Sequence, residues 1–352
     1  MRSHHAEYRF TQPGALIAAL PAVLGFVPEK SLVVVSLEGE RMGAVMRVDL
    51  SDELVDNVDR VAEVAASSGA ETVVAVIVDA EGALCPMCND GHRQLCDALL
   101  AALADRQVGL YAAHVVDMVA PSGTWHCVDG CGSRGAVEDP GASPLAAAAV
   151  LDGRRLYARR SDLQAVIAVS DPARTAALAE VIEAHSRRRD TDWQADPYAR
   201  GGRDVTEAIA AAARVCEGAE LDDEQIAGLA CSFTDVAVRD TLYALAVGVD
   251  AGKAETLWAV LSRLLPDPWR VEALVLLAFS AYARGDGPLA GLALEAALSG
   301  DPNHRMAGML DTALQSGMRP EQIRELAGTG YRLAEKLGVR LPPRRAFGRR
   351  AV

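Results

Sequence analysis

The sequence predicts an α/β domain with a mixed sheet, its elements in the order ββαβαβ, followed by an all-α, tetratricopeptide-like helical domain. Three observations carry this. Short apolar runs of strand length alternate with segments of helical periodicity over the first half of the chain. From Ala173 onward no period-2 run occurs, and the segments separated by Gly218, Gly252, Pro268, Gly285 and Gly300 all have helical spacing. Half of the 352 residues are apolar, drawn from Ala, Val and Leu rather than aromatics, which favours helices and closely packed α/β layers and suffices for two cores. The expected division is residues 1–170 for the α/β domain, 171–340 for the helical domain and 341–352 for a basic disordered tail.

Taken in order, Leu32–Leu37 and Gly43–Asp49 read as strands joined by Glu38-Gly39-Glu40-Arg41, an antiparallel hairpin with glycine at a positive-φ position. Ser51 stands where a helix cap belongs, ahead of Leu54, Val58, Val61 and Ala65 at helical spacing, with Leu50 and Val55 placed as a hydrophobic staple. Gly69 ends that helix. Val73–Val78 is apolar at every position, as a strand covered on both faces must be, and predicts the centre of the sheet. A loop with Cys85 and Cys88 follows, then a helix with Leu95, Leu99 and Leu103 on one face, then a strand over Val108–Val116. Pro121-Ser122-Gly123 turns the chain into a short strand around Trp125–Val128, and the Gly-, Ser- and Pro-rich stretch through Ser143 predicts an irregular edge. Further on, Leu274, Leu277, Ala278, Ala290, Leu294, Ala297 and Pro302 have the apolar spacing of a tetratricopeptide hairpin. Arg340–Val352 holds five arginines and no acidic residue, which predicts an unpacked tail.

A net charge of −13 repels phosphate backbones and anionic lipid over most of the surface, leaving the basic tail and the Arg154-Arg155 and Arg159-Arg160 cluster as the places for weak nucleic-acid contact. No apolar stretch approaches membrane-spanning length. Met1–Phe10 has no apolar run behind a basic start, and the seven cysteines are an odd number, so the expectation is a cytoplasmic chain with reduced thiols or thiolate metal ligands.

Two kinds of site stand out. Cys85-Pro86-Met87-Cys88 together with Cys127 and Cys131 offers two thiolate pairs from two loops, the ligand set of a tetrahedral structural zinc; His92 and His126 could replace a cysteine. Against zinc stands the reading of Cys127 and Cys131 as small apolar residues in an irregular hairpin and of Cys85 and Cys88 as loop thiols; Cys96 is expected in the core. The Cys85/Cys88 spacing also resembles thioredoxin-like chemistry, in which a helix N-terminus lowers a thiol pKa, but Asn89-Asp90-Gly91 is expected to separate the pair from its helix. The second kind is acidic: Asp49 and Asp79 each end a strand, and open α/β sheets bind ligands beyond the carboxyl ends of their strands, although an aspartate there also caps the next helix. No phosphate-binding glycine loop, nucleophile elbow or helical zinc-hydrolase histidine pair is present.

Leu20-Pro21-Ala22-Val23-Leu24-Gly25-Phe26-Val27-Pro28, followed by Ser31-Leu32-Val33-Val34-Val35, resembles the opening of an actinobacterial family catalogued as domain of unknown function 4192. The Cys127–Cys131 region, Ser143-Pro144-Leu145-Ala146-Ala147, and the Gly285-Asp286 turn with Asp301-Pro302 are similar to it as well, so the resemblance spans most of residues 10–315. That family has no established activity, and the resemblance implies no mechanism. The leading expectation is a non-enzymatic interaction or ligand-sensing protein whose helical domain presents a surface to a protein partner. Its rivals are a hydrolase or transferase working through Asp49 and Asp79, and a zinc-stabilised structural module.

Overall fold

The computed structural model describes residues 12–38, 41–51, 53–67, 69–151, 154–191, 196–316 and 318–345. The chain divides into two compact units at Leu163/Gln164.

Unit one opens with a helix that the sequence reading did not anticipate, α1 (Pro13–Leu24), apolar nearly all round and ended by Gly25, whose φ of 78° carries its N–H back to the Pro21 carbonyl (2.9 Å). Then come β1 (Ser31–Glu38), β2 (Arg41–Asp49), α2 (Val58–Ser67), β3 (Thr72–Val78), α3 (Pro86–Ala104), β4 (Gly109–Val116), β5 (Thr124–Cys127), β6 (Arg134–Ala136), α4 (Pro144–Leu151) and α5 (Arg160–Gln164). A mixed sheet with helices fits the expected α/β region, and β6 falls inside the stretch expected to be irregular. Gly39 of the expected hairpin turn lies outside the described residues.

The strands form one mixed sheet in the order β2-β1-β3-β4-β5-β6. Among the described strands only β3 and β4 pair in parallel, joined by α3 as a crossover helix, and β3 is buried along almost its whole length, as its unbroken apolar sequence requires. Alternation assigns the faces. Leu32, Val34, Val73, Ala75, Ile77, Ala113 and Val115 pack with Val61, Ala65, Leu95, Leu99 and Leu103 of α2 and α3. Burial of each large side chain there contributes about 1.5–3 kcal/mol. The opposite face carries His114, Val116 and Trp125, and α1 reaches it where Gly14 lies against Trp125 and Ala136.

Two helix starts differ from expectation. Ser51 accepts a backbone bond from Leu54 (3.1 Å), a 3-10 turn follows over Val55–Asn57, and α2 begins only at Val58; Gly69, at φ 78°, ends it as expected. The second difference matters chemically: α3 begins at Pro86, so Asn89-Asp90-Gly91 lie inside the helix rather than before it.

Unit two consists of α6 (Pro172–Thr191), α7 (Pro197–Cys216), α8 (Asp223–Phe233), α9 (Val236–Leu242), α10 (Ala251–Leu264), α11 (Trp269–Arg284), α12 (Gly287–Gly300), α13 (Arg305–Gln315) and α14 (Pro320–Lys336). The described residues of this unit contain no strand. Helix α11 is buried on nearly every side and forms a hairpin with α12 through Gly285 (φ 88°), while Asp286 accepts from the Leu289 N–H (3.2 Å) to cap α12. Leu341–Arg345, expected to open an unpacked tail, pack instead. Arg345 N–H donates to the Val247 carbonyl (2.9 Å), Val249 N–H to that of Pro343 (3.0 Å) and the Tyr331 hydroxyl to that of Pro342 (2.9 Å), while the Arg344 guanidinium covers the Tyr331 ring at 4.7 Å. The two prolines hold this segment extended, and that conformation suits docking beside residues 243–249. Residues 346–352 lie outside the described residues. No described helix is long and apolar enough to cross a membrane.

A candidate dithiol site at the carboxyl end of the central strand

Beyond Val78 the chain makes a tight connection: Asp79 N–H donates to the Val116 carbonyl, Ala83 N–H to that of Asp79 and Cys85 N–H to that of Gly82, each at 3.0 Å. Cys85 is the extended N-cap residue of the 19-residue α3 and Pro86 its first helical residue, a position that suits proline because the N–H there has no partner in a helix. Cys88 therefore lies in the first turn, where free N–H groups and the helix dipole favour negative charge. The Cys88 thiol and the Cys88 and Met87 N–H groups hydrogen-bond to Cys85 and hold its thiol below the ordinary cysteine range, while the same contact with Cys85 raises Cys88. Cys85 is half-buried and Cys88 exposed.

Asp79 lies directly behind the pair. Its side chain is only 16 % exposed, and Oδ2 sits 3.1 Å from Nε2 of the buried His92 on α3. A Cβ on Gly82 would fall 2.0 Å from Asp79 Oδ2 and 3.1 Å from Cys88 Cβ, so carboxylate and dithiol meet over a position with no room for a side chain. Asp79 also lines a cavity of about 380 Å³ beyond the ends of β3 and β4, together with Lys30, Glu81, Asp117 and Met118. Asp117 is occupied there, accepting from the N–H groups of Met118 (2.6 Å) and Thr124 (2.7 Å) and from the Thr124 hydroxyl (2.9 Å).

Asp49 is at the same end of the sheet, because Ser31 pairs with Asp49 on one side and Val78 on the other. Two strand spacings, roughly 10 Å, separate it from Asp79. Its exposed carboxylate pairs with Arg47 and Arg160 rather than converging with Asp79.

The four cysteines of the expected zinc shell fall into two separate pairs. On β5, His126 pairs with Val115 and Cys127 with His114, so His126 faces α3 and Cys127 the opposite side of the sheet. His126 accordingly contacts the Ala83 carbonyl through Nε2 (2.9 Å), whereas Cys127 Sγ lies 3.8 Å from His114 Nδ1. After Cys127 the chain coils through Gly130 and Gly132, both at positive φ, and the ligand atoms of Cys127, Asp129 and Cys131 come within 4.8 Å of one another. Cys85 and Cys88 are outside that group. Burial pushes the Cys127 thiol up to about 12 and lowers the His114 imidazole, and the Cys131 N–H donates to Asp129 (2.9 Å) and holds its carboxyl down. Cys96 is core, as expected, and burial raises it to about 12.

Sequence reasoning passed over Gly82, His114 and Asp129. The alternating Cys127-x-Asp129-x-Cys131 pattern was a readable signal for the last; nothing in the local sequence marks the other two.

Fold and site define a two-unit protein, an α/β unit carrying a helix-terminal dithiol and a helical unit. The chain belongs to the family described as domain of unknown function (DUF4192), whose model matches residues 13–321. No curated protein and no solved structure matches it.

Proposed function

We propose that the α/β unit is a thiol–disulfide redox centre, with Cys85 the attacking thiol, Cys88 the resolving thiol and Asp79 the proton acceptor. The observation that carries this is the placement of Cys85 as N-cap of α3, hydrogen-bonded by the Cys88 thiol, with the shielded Asp79 carboxylate beside Cys88 at Gly82. The Cys85 thiolate attacks a protein disulfide; one partner sulfur leaves as a thiolate, which takes a proton from water, and a mixed disulfide forms. Cys88 then gives its proton to Asp79, and its sulfur displaces the second partner sulfur. The result is a Cys85–Cys88 disulfide and a reduced partner, two electrons having passed to the partner. In the cytoplasm expected for this chain the resting form is the dithiol, ready to respond to oxidation. The helical unit, with α11–α12 as its tetratricopeptide-like element, serves as the partner-binding surface of such a sensor.

Oxidation of the full chain with a model disulfide tests this by peptide mass. A Cys85–Cys88 disulfide reversed by dithiothreitol supports it, as does a mixed disulfide trapped on Cys85 in Cys88→Ser. Free Cys85 and Cys88 in a sample whose other thiols have oxidised would end it.

A second reading, carried by the convergence of Cys127, Asp129 and Cys131, is a structural zinc centre after β5. Elemental analysis of reduced, tag-free protein tests it, near one zinc per chain being the supporting result. The hydrolase reading has no comparable support, since Asp49 is engaged by Arg47 and Arg160 and Asp79 by His92.

A further inference from the structure

We propose that His114 completes the Cys127–Asp129–Cys131 cluster as the fourth ligand of a site for a borderline-soft divalent cation of the zinc class, with a two-sulfur, one-nitrogen, one-oxygen shell. The inference rests on the metal reading above and adds the ligand that makes the site four-coordinate.

His114 is directly opposite Cys127 in the β4–β5 register, so the two side chains leave the same face of the sheet from adjacent strands. Their donor atoms are 3.8 Å apart. A tetrahedral zinc with bonds of about 2.3 Å to sulfur and 2.0–2.1 Å to nitrogen would hold those two atoms roughly 3.6 Å apart, so the ring needs almost no movement to share a cation with the thiolate. Asp129 and Cys131 have donor atoms within 4.8 Å of Cys127 and of each other, a group that does not include His114, so their coil, with Gly130 and Gly132 at positive φ, has to close toward the ring when a cation binds. His114 is 5 % exposed, and among the described residues the partner of its Nδ1 is the Cys127 sulfur, a weak hydrogen-bonding group. Packed against one edge of this ring is Trp125, at a centroid distance of 5.0 Å, which fixes its orientation and places a fluorophore beside the site.

The test is titration of the full-length, reduced, metal-free protein with Co(II), followed by Zn(II). One Co(II) per chain is expected, giving a thiolate charge-transfer band and intense tetrahedral d–d bands, partial quenching of tryptophan fluorescence, and loss of all three signals on addition of Zn(II). His114→Ala should weaken Co(II) binding at least about tenfold and shift the d–d bands, while Cys127→Ser should abolish the charge-transfer band. If the wild-type chain takes no Co(II), the metal reading itself is overturned. If it takes Co(II) and His114→Ala matches it in affinity and spectrum, the metal reading stands and the assignment of His114 falls. Should His114→Ala not fold, proton NMR of the wild-type Co(II) form decides: a strongly shifted exchangeable imidazole N–H supports coordination by His114, and its absence overturns it.

Discussion

Cys85 and Cys88 are chemically unequal because their hydrogen bonds are unequal. Donors converge on Cys85, which favours its thiolate and therefore lets it react at lower pH. The rate of Cys85 alkylation by iodoacetamide, followed by peptide mass, should reach half its plateau below the pH of an ordinary thiol, and Cys88→Ala should raise that midpoint by removing the largest of those bonds. An unchanged midpoint would mean that the contact does not control the thiolate. Cys96, buried on the same helix and raised to about 12, should stay unmodified at pH 8 in the folded chain. Little of this asymmetry was legible in the sequence. Asp79 and the two cysteines could be read as candidates, but the glycine on which they meet is informative only once the chain is folded. Gly82→Ala should lower stability by about 1–3 kcal/mol in urea unfolding, the scale of overpacking a filled site, because the new methyl would displace the Asp79 carboxylate. No change would mean that the connection yields freely.

At the scale of elements, strands were easier to read than helix starts. The apolar run of β3 has one reading, a strand covered on both faces, and the sheet centre follows from it. The start of α3 was hidden because Asn89, Asp90 and Gly91 are poor helix formers, and their local preference favours a loop. Proline at the first helical position and the burial of His92, Leu95 and Leu99 further along outweigh that preference, while the first turn itself stays exposed. Helical glycines show the same contest between local and tertiary terms. A Cβ on Gly308 of α13 meets nothing within 4 Å, so Gly308→Ala should stabilise the chain by up to about 1 kcal/mol through helix propensity. On Gly330 of α14 it would lie 2.8 Å from both Ala244 Cβ and the Asp240 carbonyl, and the same substitution should cost about 1–3 kcal/mol. Thermal melts of the two variants should move in opposite directions.

For the whole molecule, the division into an α/β and a helical unit could be read from the disappearance of period-2 patterns. The sheet order could not, because it depends on pairings between distant segments that leave no local trace. Leu341–Arg345 was hard to read for a related reason: Arg340–Arg345 has the composition of a solvated tail, yet its backbone carbonyls and N–H groups are used by Tyr331, Val247 and Val249. Ending the chain at Arg340 should therefore lower the melting temperature of the helical unit by several degrees in calorimetry, whereas loss of a free tail would leave it unchanged. The dithiol should keep its redox behaviour in that variant, since the Cys85–Cys88 and Asp79–His92 contacts belong to the α/β unit.

The alternation along β5 places a constraint on strand length. Asp117 fixes the turn before this strand through Thr124, and the Val128 N–H fixes its far end on the Ala113 carbonyl. A single residue inserted between Trp125 and His126, with Thr124 still held on Asp117, would exchange the faces of His126 and Cys127, bringing an imidazole to the His114 side and a thiol to the Ala83 side. An extra residue between Met118 and Gly123, by contrast, would lengthen the turn and leave both side chains where they are. Spacing between Thr124 and Val128 is thus as much a part of the chemistry of this unit as the identity of any residue that bears a donor atom.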